Sequence, residues 1–349
     1  VGLLEIVWRL ALGLAAGALL WMSALILLRL LHERRVARRF ADRRAVERAL
    51  VALLLGRCDL ERELGPYRGR ARLMAEALLE LLAIVRGHDR DIVVAAYRSL
   101  GVDAVMRARL LRGSLAGRLA CVEALAAFPD VQTESALRAL IASAGPQLRL
   151  AALRSLAERG GAVPLDRVLR DLASGALQPS GLLGEFVHQL IAADTSAAIH
   201  ILSAGEAPRM VQVLLLDGLG AAGDYAALPC LTAHAGADSP EVRSAAVRAL
   251  GRLKHPGASA PLAAALGDAD SRVRAAAAEA VGDAQLAALA PRLTASLQDP
   301  VWRVRYQAAA ALRRLGAKGR EELELAAKSP IDVVHRAASL ALAEQGLAA

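Results

Sequence analysis

Aromatic residues are scarce, with three Trp, four Tyr and three Phe in 349 residues, although 55% of the chain is hydrophobic. The apolar content is therefore Ala, Leu and Val, which favours helix over sheet. Cysteine is scarcer still. Cys58, Cys121 and Cys230 are odd in number and far apart, which excludes a disulfide framework or a C-x-x-C site and marks them as small buried residues in a reducing compartment. Lysine is nearly missing as well: Lys254, Lys318 and Lys328 stand beside 40 Arg, the usage of a GC-rich bacterial genome. The seven histidines include no i, i+4 pair and no H-E-x-x-H, and neither a phosphate-binding glycine loop nor a serine nucleophile elbow is present. No catalytic residue, cofactor or metal site is expected, so the chain is not expected to be an enzyme.

The formal net charge is +8, and residues 1–90 hold 16 Arg against 10 Asp and Glu, leaving the remainder almost neutral. A nucleic-acid binder spreads positive charge along the surface that meets phosphates, and few aromatics are available to stack on bases. Nucleic acid is accordingly not expected as a partner.

Between Arg9 and Arg29 lie 19 uncharged residues, LALGLAAGALLWMSALILL, spanning roughly 28 Å as a helix. They predict one N-terminal transmembrane helix within 1–31, contacting the lipid bilayer through residues 10–28. Gly13 and Gly17 form a G-x-x-x-G, a candidate for self-association. The segment that follows is rich in arginine. Arg34, Arg35, Arg38, Arg39, Arg43 and Arg44 read as a topology signal or a surface for anionic lipid. By the positive-inside rule this predicts a single-pass protein of the bacterial inner membrane, N-terminus outside, with the rest in the cytoplasm. Residues 32–88 are expected to be a basic juxtamembrane segment and helical connector or cap.

Residues 89–349 are expected to be a repeat array. VRSAAVRALG (242–251), VRAAAAEAVG (273–282), VRYQAAAALR (304–313) and VHRAASLALA (334–343) recur in steps of 31, 31 and 30. Degenerate copies begin at 211, 182, 148, 117 and 92, giving about nine units. Each has a shorter helix before it, as at Pro261–Leu266 and Pro291–Leu297, so the unit is a helical hairpin. Within 242–253, Val242, Ala245, Ala246, Ala249, Leu250 and Leu253 follow three- and four-residue spacing and predict a buried stripe. One hairpin cannot bury such a stripe, whereas stacked hairpins can.

The turn aspartates Asp238, Asp268 and Asp299, followed by Val-Arg at 242–243, 273–274 and 304–305 and by Ala-Leu-Gly, resemble the HEAT repeat family. More narrowly, they are similar to the bacterial HEAT-like repeats of the phycobilisome-lyase class. The resemblance implies an all-α, α-α solenoid in which Arg243, Arg274 and Arg305 pair with turn aspartates of adjacent repeats; His335 replaces the arginine in the last one.

Solenoids offer long surfaces to other proteins, so the expected function is a membrane-anchored scaffold for protein-protein interaction at the cytoplasmic membrane face, in an envelope, exopolysaccharide or signalling complex. The alternatives are a lyase-type enzyme or chaperone subunit, or a HEAT-like nucleic-acid binder. The partner-binding candidates are Trp302, Arg303 and Tyr306. Trp302 and Tyr306 are four apart on one helix face and replace Pro240/Ser271 and Ser244/Ala275 of the other repeats.

Overall fold

The computed structural model describes residues 2–57 and 59–347; the side chains of residues 3–7, 9–16, 18, 32, 35, 36, 39 and 345–347 fall outside that description. The described residues are helical and contain no strand, as the Ala- and Leu-rich composition requires. Two compact units are formed, one by residues 1–144 and 151–161, the other by 145–150 and 162–349.

In the first unit, α1 (Leu3–Leu54), α2 (Leu60–Glu63), α3 (Ala71–Ile84), α4 (His88–Ser99), α5 (Val102–Arg109), α6 (Leu115–Leu125) and α7 (Val131–Ser143) follow one another. α1 stops just before Gly56, whose φ of 68° lies in the left-handed region that glycine enters without steric cost. Its last turns bury Val46, Ala49 and Leu50 and pack on α3 and α4. α6 lies against α3 and α5. The start of α7 is held by Asp130, which accepts hydrogen bonds from the Thr133 backbone N–H at 2.7 Å and from its hydroxyl at 2.7 Å. Arg107 joins this cap to Asp103 at 2.7 Å and to the Thr133 hydroxyl at 3.1 Å.

The expected membrane span is corrected here. Among the described residues no helix is long and apolar enough to cross a membrane, and the single-pass inner-membrane placement is overturned with it. The apolar stretch does not end at a boundary of its own; it continues as the same helix into the arginine-rich segment. From Leu19 to Leu28 every side chain is exposed. The earlier half of the stretch, and Gly13 with it, lies largely outside the described side chains.

α8 (Pro146–Glu158) carries the boundary between the units. The second unit continues with α9 (Leu165–Ala173), α10 (Gly181–Ala193), α11 (Thr195–Ser203), α12 (Arg209–Ala222), α13 (Leu228–His234) and α14 (Pro240–Leu253). It is completed by α15 (Ser259–Ala265), α16 (Ser271–Asp283), α17 (Ala290–Ser296), α18 (Trp302–Arg314), α19 (Gly316–Ala326) and α20 (Asp332–Leu347). Long second helices α10, α12, α14, α16, α18 and α20 pack each on the next and form one layer. Shorter first helices, among them α9, α11, α13, α17 and α19, contact one another in the other layer. This is a solenoid-like array of hairpins.

The stripe predicted on α14 is buried throughout, with Val242, Ala245, Ala246, Ala249, Leu250 and Leu253 all at most 3% exposed. Burying each Val or Leu contributes about 1.5–3 kcal/mol, a gain available only because a neighbouring hairpin supplies the cover. The repeated glycine sets how closely neighbours approach. A Cβ added to Gly251 would lie 2.6 Å from Ala280 Cβ and 2.7 Å from its Cα, and one on Gly220 would lie 2.6 Å from Ala249 Cα. Gly282 meets Ala311 in the same way, at 2.9 Å from its Cα. Glycine in one helix and alanine in the next thus let successive second helices touch backbone to backbone.

Candidate interaction surface

Two features of the second unit change at its last hairpin. The first is an arginine-aspartate ladder. Arg243 donates from Nε and Nη2 to the two carboxylate oxygens of Asp268, each at 2.8 Å, and from Nη1 to the carbonyls of Ala237 and Asp238 at 3.0 and 2.9 Å. Arg274 repeats this on Asp299, at 2.7 and 3.1 Å, and on the carbonyls of Asp268 and Ala269 at 2.9 and 3.0 Å. Hydrogen bonds from these guanidinium groups hold Asp268 and Asp299 below the ordinary carboxylate value. Both carboxylates also cap the turn they sit in, accepting from the backbone N–H two residues on.

Arg305 makes only half of this arrangement. Its Nη1 donates to the carbonyls of Asp299 and Pro300 at 2.7 and 3.0 Å, but among the described residues no carboxylate meets the other edge of the group. The turn position held by Asp268 and Asp299 is occupied by Ser329, whose hydroxyl accepts from the Ile331 N–H at 3.2 Å. Serine keeps the local cap and removes the charge. The pairing expected for Arg305 is therefore corrected, and so is the role of Asp238: its turn position falls on Ala237, and Asp238 contributes only a carbonyl to Arg243. His335 takes the arginine position of the last hairpin and its Nδ1 approaches the carbonyl of Ala327 at 2.5 Å.

The second feature is a groove between α18 and α20. Arg313 stands where the earlier repeats have Gly251 and Gly282, and it pairs with Glu344 of α20. Tyr306 stands where they have Ser244 and Ala275, which are buried, whereas Tyr306 is 51% exposed. Two small residues on the same helix face are thus replaced by large ones, seven residues apart, and α20 meets α18 over a shorter stretch than the interior helices meet each other. The space left, about 420 Å³, is lined by Trp302, Arg305 and Tyr306 from α18 and by Val333, Arg336 and Leu340 from α20, among others.

Of the three partner-binding candidates, Trp302 and Tyr306 come together, with ring centroids 6.2 Å apart and planes tilted by 57°. Trp302 is 67% exposed. Arg303 points elsewhere, into a depression shared with Glu241, Arg272 and Gln307. The groove residues Val333 and Leu340 were not singled out from the sequence, and Arg305 was singled out only for a ladder pairing; the signal available was the loss of glycine at 313 and of aspartate at 329.

Of the arginine cluster on α1, Arg34, Arg38 and Arg44 are exposed, and the side chains of Arg35 and Arg39 lie outside the described residues. Arg43 is half-buried, pairing with Glu47 at 2.9 Å and with Glu80 of α3, and these carboxylates raise its pKa. It ties α1 to α3. Burial pushes the Cys121 thiol up to about 11 and also raises Cys230, so neither is a ready thiolate. Cys58 lies outside the described residues. Among the described residues no group of acidic, histidine and cysteine side chains is arranged to hold a metal ion.

No curated protein matches the chain. Among solved structures, it matches the complex of CpcE and CpcF of phycocyanin lyase from Nostoc at 20% identity, over 69% of this chain and 94% of that one, with a TM-score of 0.31. An engineered protein matches at 16% identity over 85% and 98%, TM-score 0.34. Human deoxyhypusine hydroxylase matches at 19% identity over 80% and 97%, TM-score 0.30. HEAT repeats match at residues 195–282 and 259–343. The matched residues, 195–343, are the hairpins that carry the glycine contacts and the arginine-aspartate ladder, and these are what is similar to HEAT repeats.

Proposed function

We propose that the chain is a HEAT-repeat scaffold that holds another protein, with Trp302 and Tyr306 of α18 at the contact and Arg305 beside them. The supporting observation is the exposure of two large aromatics, side by side, in a chain that has ten in all. Exposed Trp and Tyr beside Arg have the composition of interface hot spots. The pair is not needed to hold the layer together, since the opposite face of α18 already buries Val304, Ala308 and Leu312 completely. The role is binding rather than catalysis.

The test uses the full-length chain. A partner recovered by crosslinking is identified, purified and recombined with the wild type and with Trp302→Ala/Tyr306→Ala. Affinity is expected to fall at least tenfold, about 1.4 kcal/mol, while the melting temperature stays within a few degrees. Equal affinity for both proteins, or a loss of stability typical of a core truncation, about 3–5 kcal/mol, would show that the pair serves packing instead.

A further inference from the structure

We infer that the groove between α18 and α20 receives an amphipathic α-helix of another protein, its apolar side chains on Trp302, Tyr306 and Leu340 and a carboxylate of it on Arg305. This rests on the scaffold reading and names the chemistry of the partner. Two independent observations carry it.

The first is the shape and lining of the groove. It runs between successive second helices, where the interior of this layer would have closed contact, and its walls are aromatic and aliphatic: Trp302 and Tyr306 on one side, Val333 and Leu340 on the other. Among the described residues there is no strand edge to pair with an extended peptide, whereas a helix laid against two helices repeats the packing used throughout the unit.

The second is the half-made ladder. Arg243 and Arg274 show what this guanidinium position does when completed: Nη1 fastens to two carbonyls and the remaining edge grips a carboxylate with two hydrogen bonds. Arg305 is fastened in the same way, faces the groove, and has Ser329 in place of the aspartate. A planar donor edge already oriented by its carbonyl bonds suits a carboxylate in two-point contact. The acidic groups at the groove are already engaged, Asp332 by Arg336 and Glu344 by Arg313. Positive charge therefore remains for an acidic partner.

The probe is a set of fluorescein-labelled, hydrocarbon-stapled 16-residue helices, alanine-based, with Leu at i, i+4 and i+7 and either Glu or Gln one turn away. Dissociation constants for the full-length protein are read by fluorescence anisotropy. The Glu helices are expected to bind at least tenfold more tightly than their Gln counterparts. Ser329→Asp, which gives Arg305 a carboxylate from its own chain, is expected to bring that ratio to about one without lowering the melting temperature; Arg305→Gln should do the same to the ratio. A wild-type ratio near one, or a ratio unchanged by Ser329→Asp, overturns the inference. If none of the helices bind but the purified partner still depends on Trp302 and Tyr306, the acidic-helix chemistry falls and the scaffold stands. If the partner is also indifferent to those residues, both fall.

Discussion

Interior hairpins of the second unit and its last hairpin are built on the same frame, yet the interior contacts close and the last one opens. Between α14 and α16 the frame places Gly251 on Ala280, buries Ser244 and ties Arg243 to Asp268. Between α18 and α20 the same three positions carry Arg313, Tyr306 and an Arg305 for which Ser329 stands in place of the aspartate. A repeat frame thus dictates where helices go, while the size and charge of a few residues decide whether neighbours seal or leave a surface free.

The largest effect should come from filling the interior contact. Gly251→Val places side-chain atoms where a Cβ alone would already lie 2.6 Å from Ala280, and is expected to cost about 3 kcal/mol or more. Arg313→Val, at the same frame position of the open contact, removes a part-exposed pair with Glu344 and should cost less, about 1 kcal/mol. Urea denaturation of both variants measures the difference; equal costs would mean that the last contact is as closely packed as the interior.

A smaller effect is expected from making the interior ladder resemble its end. Asp268→Ser leaves Arg243, whose side chain is only 16% exposed, without its carboxylate, and should cost about 2 kcal/mol at neutral pH, less than for a fully buried pair. The pH dependence has a definite sign. Folding lowers the Asp268 pKa below 3.8, so its contribution is present above that ordinary value and is lost as pH falls through the lowered one. Acid titration of stability should therefore show the wild type and Asp268→Ser converging at low pH. A difference that persists undiminished there would assign the loss to something other than the charge pair.

The smallest change in stability should come from restoring the interior residues at the open end. Tyr306→Ser with Arg313→Gly exchanges a half-exposed aromatic and a surface ion pair for small residues, a net change within about 1 kcal/mol. Its readout is local. Amide hydrogen exchange in α20 should slow as the helix settles on α18, and unchanged exchange would show that these two residues do not hold the groove open.

Much of the fold was legible because repetition is a sequence property. Each of the nine second-helix segments read at steps near 31 begins inside a helix, from His88–Ser99 to Asp332–Leu347, and the stripe on α14 is buried as its spacing required. The frame failed where local identity was mistaken for position. Asp238 looked like the turn aspartate because it precedes Val242, but the turn places Ala237 there. At 92 and 117 the two segments are helices, yet α6 packs on α3 and α5 and not on α4 as the frame would have it. The apolar stretch near the N-terminus was read from its length, its lack of charge and the arginines after it, none of which says that one helix continues from the stretch into the charged segment.

Trp302 and Tyr306 were visible as large residues at positions small elsewhere, but the groove beside them was not, since its second wall is Val333 and Leu340, thirty residues on.

By itself the sequence determined the helical class, the hairpin period and the buried stripe, because each depends on residues near one another or at one constant spacing. Only the tertiary structure decided which second helices touch, where Arg305 is left without its carboxylate, and that a groove lined by Tyr306 and Arg313 lies between α18 and α20. The spacing between packed helices is set jointly by side chains from two repeats, so no single stretch of chain contains it.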